Sequence, residues 1–253
     1  TLVDAMAAHG MDARAALHAQ RTAGSIHAYV ELHIEQGPVL DRQGMSVGVV
    51  DAITGLFKWQ ATLTGTANHA GTTPMNMRTD AFQGLTEFAT QIDRVLEEHG
   101  SPASVATIGR VELLPGAANV VPGQAVFSLD VRDTDASTLA RLGESLQRTL
   151  AAIARRRGLM FEYEVLSEIA PVPCAPLVRH AVERSVETLG IEATHINSGA
   201  AHDAQVIASI APAGMIFVPS KEGRSHSAAE WTAWNDIEAG ANVLLHTLQQ
   251  LAG

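Results

Sequence analysis

The sequence predicts an α/β domain interrupted by an inserted α+β module, and three patterns along the chain carry that expectation. Residues 55–168 run through strand–helix–strand twice, a βαββαβ order that closes into a sheet with helices on one face. The Pro-rich "APVPCAP" then breaks the pattern, and helix–strand–helix texture resumes. Within that return, "GMIFVPS" is short and fully apolar, as parallel strands buried on both faces are. The expected boundaries are 1–54 for the first part of the α/β domain, 55–168 for the insert and 169–253 for the second part. A chain of 253 residues, 46% hydrophobic, is long enough for two such cores.

Element by element, residues 1–24 are Ala-rich and mostly helical in pattern, with a break at Gly10. "SIHAYVELHIEQG" alternates like a strand and ends in a tight turn, and "SVGVVDAI" is a second strand. In the insert, "FKWQATLTG" is a strand, "TDAFQGLTEFATQIDRVLEEHG" a long amphipathic helix with a Gly stop, and "SVATIGRVELL" one further strand. "QAVFSLDVRD", "ASTLARLGESLQRTLAAIARRRG" and "MFEYEVLSEI" repeat the strand–helix–strand order. After the break come the helix "LVRHAVERSVETLG", the apolar strand and the terminal helix "WNDIEAGANVLLHTLQQLAG".

Composition narrows the function classes. A net charge of −10 with 17% charged residues describes an ordinary acidic protein, and no basic block points to nucleic acid or an anionic membrane. The nearest, "RRR" at 155–157, closes a helix, where cations complement the dipole. The single cysteine, Cys174, excludes an internal disulfide framework and suits a reducing, cytoplasmic location. In a loop-like stretch it has no evident base to make it a nucleophile. No apolar run reaches membrane-spanning length and no signal peptide opens the chain. "TLVDAMAAHGMD" reads as the middle of a helical region, so the chain is expected to be a piece of a longer one.

Five segments hold residues suited to chemistry. Alternation puts Tyr29, Glu31, His33 and Glu35 on one strand face, with His33 near the carboxyl end where α/β sheets bind ligands. Taken alone, His33 reads better as a core histidine paired with Glu31 or Glu35. His226, in "PSKEGRSHSAAEW", follows another strand end, and two such histidines bring a metal reading level with the bland one. His69, in "GTANHAGTTPMNMRTDA", opens a helix, where an imidazole can stabilise an oxyanion or merely cap the turn. Arg132 in "SLDVRD" suits carboxylate recognition, although Asp130 and Asp133 stand ready to neutralise it. Asn119 lies in "PGAANVVPG", and "NSGAAHDAQ" offers backbone N–H groups to an anion. Glu97-Glu98 read as a solvated helix face, and His202-Asp203, being adjacent, point apart and make a poor chelate.

Together, "ELHIEQGPVL", "NHAGTTPMNMRTDA", "GAANVVPGQAVFSLDVRD", "NSGAAHDAQ" and "FVPSKEGRSHSAAEW" resemble the zinc-dependent amidohydrolase branch of the M20 metallopeptidases, in order and spacing, over essentially the whole chain. That branch holds N-carbamoyl-L-amino-acid hydrolases, β-ureidopropionases and allantoate amidohydrolases. The resemblance implies a two-metal α/β catalytic domain interrupted by a lid and dimerisation domain. It implies His33 and His226 as metal ligands and Gln36 as a substrate contact. His69 becomes the lid histidine that stabilises the tetrahedral intermediate, while Asn119 and Arg132 grip the substrate's carboxylate and ureido end. It also implies a homodimer, some of whose lid groups reach across to the other subunit.

Two departures accompany the resemblance. Ala201 stands where the family usually has Gly at a backbone contact to the substrate carboxylate, and a methyl there restricts φ or crowds the ligand. The family's first metal histidine, bridging aspartate and Glu-Glu pair lie upstream of "ELHIEQG", and His9, His18 and His27 lack the carboxylate partners to replace them. The chain is therefore expected to supply two ligands for its two divalent ions (zinc, manganese, cobalt or nickel) and no general base. Alone it is expected to be inactive. The alternatives are a non-catalytic dimerisation module and a related dipeptidase.

Overall fold

A computed structural model describes all of residues 1–253. In order, the first elements are α1 (Leu2–Ala8), β1 (Tyr29–Ile34), α2 (Val39–Gln43), β2 (Val47–Ile53), β3 (Gly55–Thr64), β4 (Asn68–His69) and α3 (Ala81–His99). Then come β5 (Val105–Thr107), β6 (Val111–Leu114), β7 (Val120–Val121), β8 (Gln124–Asp133), α4 (Ala136–Arg157), β9 (Met160–Ile169) and β10 (Val172–Pro173). The chain ends with α5 (Pro176–Leu189), β11 (Ala193–Ser198), α6 (Asp203–Ile207), β12 (Ala213–Val218) and α7 (Trp234–Ala252). It is a mixed α/β protein with open sheets, divided into two compact units. No helix is long and apolar enough to cross a membrane.

The first unit comprises 1–50, 174–195 and 202–253. Its β1 and β12 run parallel from Tyr29↔Ala213 to Ile34↔Val218, and β2 joins β12 antiparallel. All six residues of β12 are buried, the two-sided burial that "GMIFVPS" predicts. Helices α5 and α7 bury Val178, Val182 and Val243 against Val47, Val49 and Ile216. Gly240 lets α7 come close, since a Cβ there would stand 2.5 Å from a Val218 methyl. The amino-terminal stretch departs from the expected helical run. Only α1 and a 3₁₀ turn at Ala15–His18 form, and neither buries a side chain. Short helices without a packed face are marginal in water, and Gly10, at φ 70°, ends the first.

The second unit comprises 51–173 and 196–201. Its sheet has the order β5-β8-β3-β9, every pairing antiparallel. Burial alternates along β8, with Ala125, Phe127, Leu129 and Val131 facing α3 and α4. Each such aromatic or leucine side chain contributes about 1.5–3 kcal/mol by leaving water. The opposite residues, Ser128, Asp130 and Arg132, stay partly exposed on the other face. The segment expected as one strand over 104–114 forms two, β5 and β6, both on β8. Between them Ser128 bonds Arg110 through its own N–H and through its hydroxyl, which satisfies the backbone where the strand breaks.

Candidate active site

The turn after β1 sets the site's first half. His33 donates from Nδ1 to the carbonyl of Ile34 at 2.7 Å, so its proton sits on Nδ1 and its Nε2 lone pair is free. Glu35 turns the other way. Its buried carboxylate accepts the N–H groups of Val39 (2.8 Å) and Leu40 (2.7 Å) at the start of α2. Gly37 is required there, because a Cβ would lie 2.6 Å from Glu35 Oε1. Glu35 is thus a structural clamp. Glu35→Ala leaves two amides unpaired, and a loss of about 2–5 kcal/mol is expected in denaturant unfolding.

Gln36 follows with φ 61°, its N–H bonded to the buried Ser220 hydroxyl at 3.0 Å. Its side-chain Nε2 meets His226 Nε2 at 3.3 Å. An amide nitrogen only donates, so His226 keeps its lone pair on Nε2. The loop carrying His226 is fitted against the Gly37-Pro38 turn. Glu222 donates its N–H to Asp41 at 2.9 Å, and a Cβ on Gly223 would meet Pro38 N at 2.7 Å. The chain's non-glycine residues at positive φ are Gln36, Glu222 and His226, all in these two loops. Such conformations cost roughly 1–3 kcal/mol each and gather at functional sites.

A second cluster surrounds His33. Glu31, His33 and His202 present ligand atoms within 4.8 Å of one another, and the two imidazoles meet edge-on with centroids 4.6 Å apart. Glu31 accepts the Ala204 N–H at 2.7 Å and stands 3.6 Å from His202 Nδ1, fixing the start of α6. His202, set aside in the sequence reading because Asp203 cannot share a ligand with it, reaches His33 on its own. Glu31 and His202 are the residues that sequence reasoning missed. Glu31's position on the His33 face was the available signal.

Burial above all, and then His33, push His202 down to about 4, with Asp203 opposing them. An unfolded chain protonates this imidazole near 6.5, so the folded state loses stability as pH falls from about 6.5 to about 4. The loss is at most roughly 3 kcal/mol. Urea midpoints measured across that window are expected to fall more steeply for the native protein than for His202→Gln.

In the second unit, β4 and β7 pair His69 with Val120, and the Ala70 N–H reaches the Asn119 carbonyl at 2.9 Å. His69 Nδ1 accepts the N–H groups of Gly71 (3.0 Å) and Thr72 (3.3 Å), which puts its proton on Nε2, on an exposed ring. The cap selects the tautomer. Arg78 ties the same turn through the carbonyls of Thr73 and Ala70. Arg132 lies elsewhere. It bonds Asp130 and, at 2.7 Å, the carbonyl of Gly199. From Gln124 to Arg132 the strand spans about 25 Å. His69 and Asn119 sit at the β4–β7 pair, which precedes the Gln124 end of that strand. Ala201 is exposed and takes no positive φ, so its methyl does not strain the backbone.

Glu31, His33 and His202 form a donor set of the type that divalent transition metals accept, while His226 meets Gln36. Residues 5–250 match the profile of peptidase family M20/M25/M40. The chain belongs to that family. Members of the M20 family are metal-dependent. The chain is 42% identical, over 252 residues, to the N-carbamoyl-L-amino acid amidohydrolase of Geobacillus stearothermophilus, covering 100% of this chain and 61% of the relative. It is 38% identical to the allantoate amidohydrolase of Escherichia coli, with the same coverage. A hydantoinase/carbamoylase family amidase from Burkholderia multivorans superimposes with a TM-score of 0.86 at 39% identity, over 90% of this chain and 55% of that one. The M20 chain thus spans 61% of the length of those two curated relatives.

Proposed function

We propose that the protein to which this M20 chain belongs is an amidohydrolase that cleaves the linear C–N bond of a ureido or carbamoyl acid. N-carbamoyl amino acids, β-ureidopropionate and allantoate are the candidate substrates. The opposite tautomers of His33 and His69 carry this reading. His33 offers a free lone pair to a cation, as His226 does once Gln36 releases its Nε2, while His69 offers an N–H to developing negative charge. Two divalent ions, when bound, would polarise the substrate carbonyl and acidify a water. Gln36 orients the substrate beside His226, and Arg132 binds its carboxylate. The names of the relatives support the substrate class.

The separation of His69 and Asn119 from Arg132 along β8 supports a homodimer in which these groups serve one substrate from different subunits. The edge strand β9, with Met160, Val165 and Leu166 exposed, is a surface for the second copy. Mixed dimers of His69→Ala and Arg132→Met subunits are then expected to regain activity that either homodimer lacks. No recovery would count against sharing across subunits.

The full-length protein, supplied with divalent metal, is expected to release ammonia from at least one of the three substrates. This chain by itself is expected to release none. A full-length protein that, fully metallated, leaves all three intact would overturn the reading.

A further inference from the structure

We propose that Asp130 is a positioning residue that presents Arg132 to a ligand carboxylate, with Lys58 preventing the aspartate from cancelling that charge. The proposal rests on the reading of Arg132 as the carboxylate receptor. Asp130 and Arg132 are alternate residues of β8 and share its open face, and Lys58 sits opposite Asp130 on β3. Arg132 donates from Nε to Asp130 Oδ1 at 2.8 Å and from Nη2 to Oδ2 at 3.2 Å. Its Nη1 donates to the Gly199 carbonyl at 2.7 Å. A guanidinium has five N–H donors, so one remains on each terminal nitrogen for a ligand carboxylate.

Lys58 Nζ stands 3.4 Å from Asp130 Oδ2, so two cations share one carboxylate and the cluster keeps a net positive charge. Burial works against the charged form of Asp130, but Arg132 and Lys58 outweigh it and hold the carboxyl below its usual range. A cavity of about 520 Å³ opens beside the cluster, lined by Lys58, Thr107, Ser128, Asp130 and Arg132. The other acidic neighbour plays no part. Asp133 is fully buried on the opposite face, where it accepts the hydroxyls of Ser101 and Ser104 and the Asp135 N–H.

The sign of one substitution separates positioning from neutralisation. Asp130→Asn removes a negative charge beside an anion receptor, so charge alone would tighten carboxylate binding. If Asp130 positions the guanidinium, binding weakens instead. Calorimetric titration of the metal-free full-length protein with 3-ureidopropionate and with its carboxamide separates binding from chemistry. The native protein is expected to prefer the acid by about tenfold or more, the scale of a charged hydrogen-bond pair. Asp130→Asn is expected to lose that preference at unchanged Tm, and Asp130→Glu to recover part of it. In the metallated enzyme Asp130→Asn is expected to raise KM more than it lowers kcat. Equal or tighter acid binding by Asp130→Asn, or no acid preference in the native protein, would overturn the proposal. Acid preference without turnover would leave it standing and overturn the proposed function instead.

Discussion

His33→Asn in the full-length protein is expected to lower kcat/KM by on the order of 10³-fold or more, with loss of bound metal. The ring is held through one nitrogen. Its Nδ1 proton is committed to the Ile34 carbonyl, and its only remaining basic atom is Nε2. Asparagine keeps polarity and approximate volume but offers no imidazole nitrogen. Metal content by elemental analysis and kcat/KM measured on the same preparation check the two halves together. Unchanged metal content and rate would remove His33 from the site. Intact metal content with lost activity would give it a different role.

His69→Ala is expected to lower kcat by about 10²–10³-fold, the effect of removing one oxyanion donor, while KM changes far less. Two backbone amides hold its Nδ1 as an acceptor, so Nε2–H is already fixed as the donor before substrate arrives. Preorganisation of this kind costs no rearrangement in the transition state. Metal content is expected to stay at the native value, which separates His69 from His33. His69→Gln is expected to recover part of kcat, since its amide also donates. A His69→Ala enzyme with native kcat would remove the oxyanion role.

Much of the fold was legible because burial follows period. In β3 and β8 every second residue is buried, so one face of the insert's sheet announces itself. Helices α3, α4 and α5 end at Gly100, Gly158 and Gly190, as their sequences signal. The amino-terminal 24 residues were misread because alanine favours a helix locally, while nothing packs on them to extend it. The break within 104–114 was hidden by apolar residues on both sides of Gly109.

At the site, the motif histidines could be named from sequence, but their company could not. Glu31 and the start of α6 lie 173 residues apart and meet only through the fold. The left-handed backbone at Gln36 and His226 leaves no trace in residue type, since glycine and asparagine are the usual markers of that region. The tautomers of His33 and His69 likewise depend on carbonyls and amides that a residue string does not display.

Those tautomers are the point on which the functional account turns. Long-range ¹H–¹⁵N correlation of the imidazoles in the metal-free protein near neutral pH reads them directly. The expected result is a proton on Nδ1 and a bare Nε2 for His33, and the reverse for His69. A proton on Nε2 of His33, or on Nδ1 of His69, would contradict it.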